Sequence, residues 1–204
     1  MADSVKAANG LHQAASAGDL ATIRRLVTAG ADVDTRDDRG RTPLMAATHA
    51  NQPGAFQLLI ELGADVDLQD DMLDNPFLYA GAEGLLEILK LANEAGADPT
   101  ITNRYGGVAL IPAAEKGHPE NVRYLLQETD VDIDHVNNLG WTALLEAVIL
   151  TDGGPVFQEI VGELITRGAN VDLPDGEGVT PLQHARSRGF VEIVRLLEEA
   201  GATG

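Results

Sequence analysis

An all-α solenoid of stacked helix–turn–helix units is the fold class this sequence predicts, and three observations predict it. First, Gly30-Ala31-Asp32, Gly63-Ala64-Asp65 and Gly96-Ala97-Asp98 recur at intervals of 33 residues, and Gly168-Ala169-Asn170 and Gly201-Ala202-Thr203 keep that interval. Second, a Thr-Pro-Leu marker runs in phase, at Thr42-Pro43-Leu44, Asn75-Pro76-Phe77, Val108-Ala109-Leu110, Thr142-Ala143-Leu144 and Thr180-Pro181-Leu182. Third, small residues follow it, at Ala14-Ala15, Ala47, Ala80, Ala113-Ala114, Ala147 and Ala185. Self-similarity at such a period marks an array in which each unit buries its apolar face only against its neighbours.

Within one period the residues read as helix, turn, helix, turn. Thr before Pro starts the first helix, because the hydroxyl caps free N–H groups and Pro fits the first helical position. The alanines let paired helices approach closely. Gly18, Gly84, Gly117 and Gly189 end the short first helix, where a left-handed residue is needed. The second helix carries an apolar stripe: Val191, Ile193, Val194, Leu196 and Leu197 face one way, with Glu192, Arg195, Glu198 and Glu199 outward. Gly-Ala-Asp closes it, and β-turns or short hairpins join the units.

These markers resemble the ankyrin-repeat family. The last unit is especially similar, with Gly178-Val179-Thr180-Pro181-Leu182-Gln183-His184-Ala185 followed by Gly189-Phe190-Val191-Glu192-Ile193-Val194. The resemblance covers residues 9 to 203 and implies one domain, 1–204, of about six repeats. They are placed near 9–36, 37–69, 70–102, 103–136, 137–174 and 175–203. The stretches Asn103-Arg104-Tyr105-Gly106-Gly107, Ala113-Ala114-Glu115-Lys116-Gly117-His118 and Gly140-Trp141-Thr142-Ala143-Leu144-Leu145-Glu146-Ala147, then Asp152-Gly153-Gly154, are similar to a subgroup of small bacterial ankyrin-repeat proteins. That likeness implies a bacterial source and no mechanism.

Composition narrows the function. The chain carries 14 Lys+Arg against 32 Asp+Glu, a net charge of −18. Such a surface repels phosphate backbones and anionic lipids, so neither nucleic acid nor membrane is an expected partner. With no cysteine, thiol nucleophiles, disulfides and Cys-ligated zinc are excluded. No run of 18 apolar residues occurs and no apolar stretch follows Met1-Ala2-Asp3-Ser4-Val5-Lys6, so a cytoplasmic location is expected by default. The chain is expected to be a monomer.

The array departs from its own rule in repeats three to five. Leu73 replaces a turn glycine, and Pro112 falls inside an early helix. Glu128-Thr129-Asp130 replaces Gly-Ala-Asp with one residue more. Five residues are added between the helices of repeat five, around Leu150-Thr151-Asp152-Gly153-Gly154-Pro155. Together these insertions explain why Gly96 and Gly168 are two periods plus six residues apart.

Ankyrin-like proteins bind partners with turn tips and inner helices. Carried onto this sequence, that implies a protein or peptide contact site of Met72, Tyr79, Glu83, Arg104, Tyr105, Glu115, Lys116, Leu139, Trp141, Glu146 and Leu150. Met72, Tyr105, Leu139 and Trp141 would form an apolar strip, with Glu83, Glu115 and Glu146 as an acidic floor for a partner bearing basic and apolar groups. Two alternatives stand beside it: Trp141 rigidifying neighbouring tips, and the glutamates being solvated or pairing with Lys116. At the level of function, the alternative is an acidic holding or inhibitor protein for a cognate partner.

Catalytic, cofactor and metal sites are not expected. No Gly-x-Ser-x-Gly elbow, phosphate loop or His-Glu-x-x-His pattern occurs, so a hydrolase has no visible nucleophile or metal. Asp130, Asp132 and Asp134 have a calcium-loop spacing, but His135 stands at the glycine position and Trp141 at the twelfth. They read as turn and capping residues, as do Asp32/Asp34 and Asp65/Asp67. His118 reads as a packing residue.

Overall fold

The computed structural model describes the backbone of residues 2–204 and the side chains of residues 10–204; Met1 lies outside the described residues. Among the described residues there are twelve helices and no strand. They come in six pairs: α1 (Ala2–Ala17) with α2 (Leu20–Thr28), α3 (Pro43–His49) with α4 (Pro53–Glu61), α5 (Pro76–Ala82) with α6 (Leu86–Glu94), α7 (Leu110–Glu115) with α8 (Pro119–Glu128), α9 (Ala143–Ile149) with α10 (Pro155–Thr166), and α11 (Pro181–Arg188) with α12 (Val191–Glu199). Helix α1 begins well before the Asn9 expected from the repeat phase.

Capping explains where the inner helices start. The hydroxyls of Thr42 and Thr142 accept the N–H groups of Met45 and Leu145 at 3.2 Å. Thr180 accepts from Gln183, whose side chain returns a bond to the Thr180 N–H, a reciprocal capping box. Asn75 replaces threonine and accepts from Leu78 at 2.9 Å. Val108 has no acceptor to offer, and α7 is the shortest of the twelve at six residues.

The turn tips share one device. Asp37, Asp70, Asn103, Asn137 and Asp175 each use Oδ1 to accept the N–H groups two and four residues on, at 2.8–3.1 Å. Each tip needs a left-handed residue, which is Gly40, Gly106, Gly140 or Gly178 in four of them. In the third repeat Leu73 takes that conformation at φ 58°, a strained state for a residue with a Cβ.

The chain divides into two compact units: Met1–Ala80 with Leu85–Ile101, and Gly81–Gly84 with Thr102–Gly204. In the first, α1 packs on α3, and α2, α4 and α6 form the second layer. In the other, α7, α9 and α11 form one layer and α8, α10 and α12 the second. Ile23, Leu44, Phe56, Leu59, Ile88 and Leu89 are fully enclosed in the first unit, and Leu110, Leu125, Leu145, Ile160, Leu182 and Ile193 in the second. Each such side chain contributes about 1.5–3 kcal/mol by leaving water. Among the described residues, no helix is long and apolar enough to cross a membrane.

Two irregularities resolve physically. The five added residues of repeat five do not all lie between its helices. Five residues separate α9 from α10 where three separate α3 from α4, and α10 has twelve residues where α4 has nine; two therefore lengthen the loop and three the helix. The longer loop is anchored: the Thr151 hydroxyl donates to the Ala147 carbonyl, and Arg188 donates to the Thr151 carbonyl while lying over the Phe190 ring. At the end of α8 no glycine is present. The Thr129 hydroxyl instead donates to the Leu125 carbonyl at 2.6 Å, with Thr129 in extended conformation.

Candidate interaction site

In the second unit the predicted tip residues Arg104, Tyr105, Leu139 and Trp141 lie on adjoining tips, and Glu115, Lys116, Glu146 and Leu150 lie on or at the ends of inner helices. The Tyr105 carbonyl accepts the Asn138 N–H at 2.9 Å, which ties one tip to the next. Tyr105 and Leu139, each the second residue after its bracketing asparagine, stand 51% and 55% exposed. The Arg104 guanidinium lies 4.6 Å from the Tyr105 ring centre, so it presents a cation on the aromatic face. His135 holds the same tip from below through the Gly106 carbonyl at 2.7 Å. Leu150, at the end of α9, is exposed as well.

Trp141 is half-buried rather than fully presented. Its N–H is held by the Asn137 side chain at 3.1 Å and its carbonyl by the Asn137 N–H at 3.0 Å. The backbone of Trp141 is thus part of the tip's own framework.

The acidic floor is not uniform. Glu83 is exposed and bonded to Lys116 at 2.5 Å. Glu115 is half-buried. Glu146 is only 5% exposed, and its Oε1 accepts a bond from the Asn137 amide at 2.7 Å. Burial pushes the Glu146 carboxyl up to about 7, the negative charge of Glu115 adds to the rise, and the Asn137 bond opposes it. Asn137 is the residue that sequence reasoning passed over as a repeat start. The signal was its place nine residues before Glu146, the spacing by which Asp175 meets His184 at 2.7 Å.

Met72 and Tyr79 belong to the first unit. Met72 is 49% exposed on a tip bracketed by Asp70, and the Tyr79 ring lies 4.0 Å from that of His49. A cleft of about 600 Å³ also opens there, lined by His12, Gln13, Asp37, Arg41 and His49 among others.

The Asp-x-Asp pairs act on backbone. Asp34 and Asp67 accept the N–H groups of Asp65 and Asp98 in the next repeat, and in the second unit Asp134 and Asp172 accept those of Asn170 and Thr203. Asp132 caps Asp134. Among the described residues, no group of three or more His, Asp or Glu is placed to hold a metal ion. The His118 ring packs on Gly84, where an added Cβ would meet it at 2.7 Å, and burial lowers its pKa.

A family model described as ankyrin repeats, three copies, matches residues 3–70 and 77–154. The chain belongs to the ankyrin-repeat family. The ankyrin repeat protein YahD of Escherichia coli K12 is 42% identical over 93% of this chain and 94% of its own. A crystal structure of an ankyrin repeat domain from Acinetobacter baumannii AYE is 53% identical with a TM-score of 0.91, covering 95% of this chain and 98% of that one. The ankyrin repeat domain of Bcl-3, a member of the IkappaB protein family, shares 28% identity with a TM-score of 0.86 over 95% and 86% of the two chains. Ankyrin repeats are protein-interaction modules and typically not enzymes.

Proposed function

We propose that this ankyrin-repeat chain binds a protein or peptide through the tips of repeats four and five and the inner helices beneath them. The carrying observation is the pair Tyr105 and Leu139, half-exposed on tips bonded to one another. Large apolar side chains left in water beside an arginine and carboxylates have the composition of interaction hot spots. Exposed Leu150 and half-buried Glu115 extend the face along the inner helices. The partner in this reading offers an apolar side chain to the tips and a basic one to Glu115. The net charge of −18 favours encounter with such a partner. In this reading the protein is a monomer of the cytoplasm, and its likeness to YahD of Escherichia coli supports a bacterial source.

The test begins with affinity capture of a partner and measures its dissociation constant against Tyr105→Ala and Leu139→Ala. Each substitution is expected to weaken binding by about 2 kcal/mol, roughly 30-fold, the loss typical of a hot-spot side chain. Unchanged affinity in both variants overturns this site. Trp141 and Glu146 are poorer probes, since one is half-buried and the other enclosed.

A further inference from the structure

We propose that Glu146 and Asn137 form a proton-operated catch for the tip of repeat five, setting how Leu139 and Trp141 are held toward a partner; the role toward a partner rests on the contact face proposed above. The geometry is a short relay. Glu146 sits on α9, 5% exposed, and is bonded to the Asn137 amide nitrogen at 2.7 Å. The oxygen of that same amide holds the N–H groups of Leu139 at 2.9 Å and Trp141 at 3.1 Å. One planar group therefore joins a buried carboxyl to the tip backbone, and it cannot turn to follow the carboxyl without straining both tip bonds.

The sixth repeat uses Asp175 and His184 at the same two positions, and there the imidazole supplies a compensating partner. Repeat five instead places an acid over an acid, with Glu115 on α7 adding its negative charge. The other charged groups on the packed helices are engaged elsewhere. Beside α7, Lys116 is bonded to Glu83; on α11, His184 is bonded to Asp175, Arg186 to Glu198 and Arg188 to the Thr151 carbonyl. On α10, Glu159 and Glu163 face Arg123, and Glu163 also meets Arg167.

While Glu146 holds its proton, the neutral carboxyl accepts the Asn137 bond and tolerates Glu115. Once ionised, the carboxylate is repelled by Glu115 and draws the Asn137 N–H more strongly, so its displacement is passed to Asn137 through a tighter bond. Burial and the neighbouring charge place that change at about 7.

Trp141 is the single tryptophan of the chain, so its fluorescence reads the tip directly. Titration of the full chain from pH 5.5 to 8.5 is expected to shift its emission and the amide resonances of Leu139 and Trp141 together, with a midpoint near 7. Glu146→Gln, which keeps the acceptor and cannot ionise, is expected to abolish the shift. Glu115→Gln, at a half-buried position, is expected to move the midpoint lower. A flat wild-type titration, or an unchanged midpoint in Glu146→Gln from one of the histidines, overturns the catch. These readings need no partner, so they fail or succeed separately from the affinity test of Tyr105 and Leu139.

Discussion

At the scale of single residues, Glu146 is where the chain keeps a cost. Its carboxyl loses water on folding and gains a like charge as neighbour, so the proton is held more tightly than in the unfolded chain. Between the ordinary carboxylate range and about 7, the unfolded chain has released this proton and the folded chain has not. Stability therefore falls as pH rises through that window and levels off above it. Glu146→Gln is expected to remove this fall and to exceed wild type at pH 8 by roughly 3 kcal/mol. Urea unfolding at pH 5 and pH 8 checks it, and equal pH dependence in the two proteins would count against a dry carboxyl. The exposure of Tyr105 and Leu139 was readable from the repeat phase, since a fixed register assigns each residue a face. The enclosure of Glu146 was not. Its equivalents are Ala46, Tyr79, Pro112 and His184, so the register predicts a position on the inner helix but no shared chemistry there.

At the scale of elements, the departures from the repeat are repairs made with side chains. Helix α8 lacks the glycine that ends the other outer helices, and the Thr129 hydroxyl satisfies a carbonyl of its last turn. Thr129→Val keeps the shape and removes this bond. It is expected to lower stability by about 1 kcal/mol, seen as an earlier urea midpoint with an unchanged slope. The loop after α9 follows the same logic, held by Thr151, Arg188 and Phe190 rather than by length. The count of five added residues was plain in the sequence. Their division into two for the loop and three for α10 was not, because where a helix starts depends on its packing, and α10 packs on α8, α9 and α12.

At the scale of the whole molecule, charge dominates. Fourteen cationic side chains face thirty-two carboxylates, and most pairs that form, such as Arg195 with Glu192 and Glu199, are exposed and contribute little. Self-repulsion of the remainder opposes the folded state. Raising ionic strength from 0.01 M to 0.1 M shortens the screening length from about 30 Å to about 10 Å. The thermal midpoint is expected to climb over that range, and a midpoint that drops instead would show that attractive pairs outweigh the repulsion.

The repeat period, the helix pairs and their order were all written in the chain, because each rests on short-range chemistry: threonine and asparagine caps, glycine at left-handed turns and an apolar stripe every three to four residues. Whether a polar side chain meets water or a neighbour is a different kind of fact. Lys116 meets Glu83 and Glu146 meets the charge of Glu115 between successive repeats, while Asn137 meets Glu146 from the tip of its own repeat. Desolvation and Coulomb energy depend on those distances in space, and a one-dimensional register does not contain them.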